Sequence, residues 1–74
     1  MSIKQQKCIK KAQSECTALM LSGWRVWKQT QGESSGQTIL KNDKGERMSV
    51  EWRTLPVACV EISRNRKVVD VTFI

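Results

Sequence analysis

The side chains best equipped for chemistry in this sequence are three cysteines, a few carboxylates, three tryptophans and a surplus of cations; histidine and tyrosine are absent. Catalysis is poorly supplied by that set. Cys8, Cys16 and Cys59 have no imidazole to activate a thiolate, and no G-x-S-x-G elbow occurs. The glycine-spaced loop Gly32-Glu33-Ser34-Ser35-Gly36 lacks the lysine of a phosphate loop and opens a strand where such a loop would open a helix. The expectation is a non-catalytic chain with no cofactor. Three scattered cysteines, without a CxxC pair, are also one ligand short of a structural zinc site. Nor do they form a disulfide framework: on one helix Cys8 and Cys16 stand about 12 Å apart, beyond the roughly 7 Å reach of a bridge. Free thiols and a cytoplasmic location follow as expectations.

Thirteen Lys and Arg against 7 Asp and Glu give a formal charge of +6, which favours an anionic partner. Lys4, Lys7, Lys10 and Lys11 recur along one side of the first segment, and Arg64, Arg66 and Lys67 crowd a later turn. These seven are the candidate nucleic-acid contacts, suited to sequence-independent grips on the phosphates of DNA or RNA. The plain alternative is a solvated helix face. Trp24 and Trp27, three apart in a strand, point to opposite faces, so one of them lies outside. Beside Arg25, Lys28, Gln29 and Arg47, whichever indole is outward can stack on an unpaired base or anchor a protein interface. Trp52 reads as core.

Positioning these groups falls to one helix and a run of strands. At about 100° per residue, Cys8, Ile9, Ala12, Cys16, Leu19 and Met20 share a side opposite the lysines. Ser2 caps the start, with Gln5 reaching back, and Gly23 ends the helix, so it spans about Ile3 to Ser22. Beyond Gly23, segments rich in Val, Ile, Thr and Trp alternate with turn-forming clusters. Strands are expected near Trp24 to Gln31, Gln37 to Lys41, Glu46 to Thr54, Val57 to Arg64 and Lys67 to Phe73. The turns are Gly32 to Gly36, Asn42-Asp43-Lys44-Gly45, a short connection around Pro56, and Asn65-Arg66. The fold class is α+β: a single domain over residues 1–74, with an N-terminal amphipathic helix on a four- to five-stranded antiparallel meander sheet.

A two-residue turn at Asn65-Arg66 sets Ile62 opposite Val69, Val60 opposite Val71 and Ala58 opposite Phe73, while the turn at Pro56 sets Trp52 against Val60 and Val50 against Ile62. One face of the sheet is then apolar and is covered by the helix. On the other face the same register aligns Glu51, Glu61 and Asp70 across three strands. Such a row suits Mg²⁺, Ca²⁺ or a basic partner, unless Arg53 or Arg47 neutralises it. Carboxylates there would repel phosphates, so the sheet face reads as a protein surface: Trp27, Arg25, Arg47, Glu51, Glu61 and Asp70 are the candidate protein-interface residues. Two functional expectations result. One is a nucleic-acid-binding accessory or regulatory protein acting through the helix lysines and hairpin arginines. The other is an inhibitor or adaptor that binds a protein partner or self-associates as a homodimer. No apolar run reaches the roughly 18 residues needed to span a bilayer, so no membrane association is expected.

Overall fold

The computed structural model describes residues 2–74; residue 1 of the expected domain lies outside the described residues. Helix α1 runs Ile3–Leu21. Its first turn is fixed by Ser2, whose Oγ accepts the Gln5 N–H at 3.0 Å. Its end is a Schellman closure, in which Gly23 at φ +97° donates to Met20 O and Trp24 donates to Leu19 O, both at 3.1 Å. Five strands follow, β1 (Arg25–Gln31), β2 (Ser35–Lys41), β3 (Arg47–Arg53), β4 (Cys59–Arg64) and β5 (Lys67–Phe73), in the spatial order β1-β2-β3-β4-β5. This is the expected meander. β2 begins at Ser35, two residues before its expected start, because Gly36 lies against the Trp52 indole and leaves no space for a side chain.

The helix lies across the middle of the sheet, on β3 and β4, with a lighter contact to β1. Cys8, Ala12 and Cys16 from α1 close over Leu40, Met48, Val50, Trp52, Ala58 and Val60, with Ile9, Leu19, Trp24 and Ile62 packed around them. Met20, expected on the buried side, is 46% exposed and lines the open groove between α1 and β1. The Cys8 thiol donates to Arg53 O at 3.6 Å. Burial, then the neighbouring Cys59, pushes its pKa above the ordinary thiol value.

The β3–β4 register is as expected, with Val50 opposite Ile62 and Trp52 opposite Val60. Along β4–β5 it departs from expectation by one residue. The turn itself is right: Asn65 and Arg66 take φ of 49° and 70°, the signature of a type I′ hairpin, and Arg64 faces Lys67. Between Ile62 and Ser63 the register shifts, so that Val69 is an extra residue and Ile62 faces Asp70, Val60 faces Thr72 and Cys59 faces Phe73. A single bulged residue turns every later side chain of a strand to the other face. Val71 and Phe73, expected in the core, therefore point outward and are 38% and 71% exposed. Asp70 leaves the carboxylate row for the helix side, where its charge acts on Lys11. The shift also breaks up a row in which three carboxylates would lie side by side at roughly 5 Å spacing.

Candidate functional site

The outer face of the sheet, away from α1, has two electrically different ends. At one end Glu51 and Glu61 sit directly opposite each other. Arg53 reaches between them, Nη1 to Glu51 at 3.1 Å and Nη2 to Glu61 at 3.0 Å. The Glu61 bond above all, and then the neighbouring Cys59, hold the guanidinium pKa above its ordinary value. One of the two negative charges is thereby balanced. With Asp70 on the other face, no group of three His, Cys, Asp or Glu is placed to hold a metal ion among the described residues. The hard-cation site considered from the sequence has lost its third ligand.

About four residues along β3, or roughly 13 Å, the other end is basic. Trp27 marks it. The register of β1 shifts between Val26 and Lys28, so Trp27 is the bulged residue and its indole stands outward, 57% exposed. Trp24, by contrast, is half-buried against the core. Lys41 Nζ lies 3.9 Å from the Trp27 ring centroid and the Arg47 guanidinium carbon 6.0 Å, so the indole carries a cation on one side. Beyond Arg47 is a polar depression of about 210 Å³, lined by Gln37, Arg47, Ser49, Ser63 and Arg66. Asn65 fixes its rim by accepting the Arg47 N–H at 3.0 Å and donating its own N–H to Arg47 O at 2.8 Å. Two guanidiniums, two hydroxyls and an amide around a hollow are a donor set for an anion of phosphate type. Lys28, Lys41, Arg47 and Arg66 make no ion pair among the described residues.

The sequence-expected residues divide among several places. Lys4, Lys7 and Lys10 are exposed along α1, on the opposite side of the molecule from the depression. Lys11 is half-buried and bonded to Glu15 at 2.9 Å, which raises its pKa. Arg64 is turned inward onto Glu46, which also accepts from Asn42 Nδ2 at 3.0 Å. Lys67 is exposed at the start of β5. Helix lysines and hairpin arginines thus do not make one surface, and of the hairpin cations Arg66 alone joins the basic depression. Among the proposed interface residues, Arg47 and Trp27 are neighbours, and Arg25 is held by Asp43 at 2.8 Å close by. Glu51 and Glu61 form the separate acidic end, and Asp70 lies on the other face.

Sequence reasoning missed Lys41, Ser49, Ser63 and Gln37. Their signal was present in the alternation: each falls at an outward position of its strand once Leu40, Val50 and Ile62 are set inward. A larger groove lies elsewhere. A groove of about 350 Å³ separates α1 from β1, with Ala12, Cys16 and Trp52 among its apolar walls and Gln13, Gln29 and Gln31 among its polar ones. No helix among the described residues is long and apolar enough to cross a membrane. No protein-family model matches the chain, and neither curated proteins nor solved structures give a match.

Proposed function

We propose that this chain is a non-catalytic binding protein for single-stranded nucleic acid, and that the basic end of the outer sheet face is its contact surface. The observation that carries the reading is the double position of Arg47, which lines the depression with Arg66 and also lies 6.0 Å from the exposed Trp27 ring. A phosphate in the depression meets guanidinium and hydroxyl donors, and the base beside it is within reach of the indole. Stacking on an aromatic contributes about 1–3 kcal/mol per base and tolerates any sequence. A duplex hides its base faces, so an open strand is the better fit. The carboxylates that argued against this face are reduced by Arg53 to a single net negative charge at its far end. Lys4, Lys7 and Lys10, facing away, add to the long-range attraction of a +6 chain without touching the strand.

The test is fluorescence anisotropy of a labelled oligothymidine. Binding at about 50 mM salt should weaken with a log–log slope of about −2 to −3, as for three or four phosphates on a single strand. Arg47→Ala with Arg66→Ala should cost at least tenfold. Trp27→Ala should weaken binding without changing the slope, and the triple change of Lys4, Lys7 and Lys10 to Ala should act mildly. Absence of binding at that salt, or loss confined to the helix triple variant, would overturn the proposal.

A further inference from the structure

We infer that β5 is the seam of a symmetric dimer, in which the free edge of one copy pairs antiparallel with the same edge of a second copy about Val71. The inference is independent of the nucleic-acid reading. The backbone supplies the first reason. Ile74 donates its N–H to Ala58 O at 2.9 Å, so residues 74, 72 and 70 turn their backbone groups toward β4. Hydrogen bonding alternates along an antiparallel strand, which leaves the N–H and C=O of Val71 and Phe73 directed at the open edge.

The second reason is the composition of that edge. Val68, Val69, Val71, Phe73 and Ile74 are 54%, 58%, 38%, 71% and 37% exposed, and Leu55 and Val57 extend the strip beside the strand end. Sheet edges usually carry devices that stop them from pairing, such as charges, prolines or bulges. The opposite edge, β1, has them: Arg25, Lys28 and a bulge beside Trp27. On β5 the bulge at Val69 and the charge of Lys67 lie toward the start, and the stretch from Val71 to Ile74 has no charged side chain.

Self-complementarity selects a second copy as the occupant. Placing the twofold at Val71 sets Phe73 against Val69 of the other copy and Thr72 against Asp70, so that a hydroxyl meets the strand's one carboxylate. A centre at Asp70 opposes two carboxylates, and a centre at Val69 puts Lys67 against Val71 and Arg66 against Thr72; neither matches apolar with apolar and donor with acceptor throughout. Within residues 67–74 Lys67 and Asp70 balance, so the edge does not share the repulsion expected of a +6 chain. The apolar strip of two copies amounts to an interface on the order of 1,000 Å², near the lower bound for specific association, which points to a micromolar dimer.

The experiment combines sedimentation equilibrium with site-directed cross-linking of the full chain. Wild type should approach twice the chain mass at about 100 µM, as an interface of this size allows, and Val71→Lys should stay monomeric with an unchanged circular-dichroism spectrum. Val71→Cys should be joined efficiently by a short bismaleimide, because facing α-carbons are about 5.5 Å apart. Lys67→Cys should not, since it lies four residues from the axis and about 26 Å from its mate. Cys8, Cys16 and Cys59 are buried and serve as the unreactive background. A wild-type monomer at that concentration, a larger open assembly, or equal cross-linking at positions 67 and 71 would overturn the inference.

Discussion

A methyl group at position 36 would sit 2.3 Å from Trp52 Nε1 and 2.8 Å from Cε2, distances no relaxed contact reaches. Gly36 is therefore a packing residue, and Trp52, 4% exposed, cannot shift without opening the core it anchors. Gly36→Ala should lower unfolding stability by about 2–3 kcal/mol in urea titration, the range of an overpacked core. Arg53 is the second residue on which its neighbours depend. Truncating it leaves Glu51 and Glu61 facing each other without a cation. Because the guanidinium is about one-third exposed, Arg53→Ala should cost only about 1 kcal/mol. Adding Glu61→Gln should restore most of that loss, and the double-mutant cycle measures the coupling. An uncharged glutamine that fails to rescue would show that the methylene stem of Arg53, rather than its charge, is what the sheet needs.

Among the elements, the β2–β3 turn has its own titration. Glu46 accepts from Arg64 and then from Asn42, and these bonds hold its carboxyl below the ordinary glutamate range. A carboxylate with a lowered pKa in the folded chain stabilises it above the unfolded value and loses that contribution as pH falls through the folded one. The loss should begin near pH 4–5 and grow toward pH 3. Urea midpoints at pH 7 and pH 3 should differ less in Glu46→Gln than in wild type. The same turns were plain in the sequence, because Asn42 to Gly45 and Asn65-Arg66 are local instructions carried by residue types that tolerate positive φ. So was α1, whose apolar spacing and caps agree. The bulge at Val69 was not legible, since no turn-forming residue marks it and the apolar alternation of β5 by itself sets Val69, Val71 and Phe73 on one face.

At the level of the whole molecule, two layers separate two basic regions that the sequence reading grouped as one set of contacts. Folding puts a sheet and a helix between Lys7 and Arg66. What survived from the sequence is the two-layer plan and the outward tryptophan beside Arg47. What did not is the surface map, because Arg64 and Lys11 are consumed by internal ion pairs while Lys41, Ser49 and Ser63 enter from strands chosen by register. Every residue of β1 is exposed, and the helix-side core is built without one of them. The groove between α1 and β1 leaves that strand held chiefly by its bonds to β2, with only a light contact to α1. Local opening is cheapest where few apolar contacts are lost. The indole of Trp27 is thus mounted on an edge strand with few apolar contacts to lose, so that a small tilt of the aromatic platform toward bases of different size should disturb little of the core beneath it.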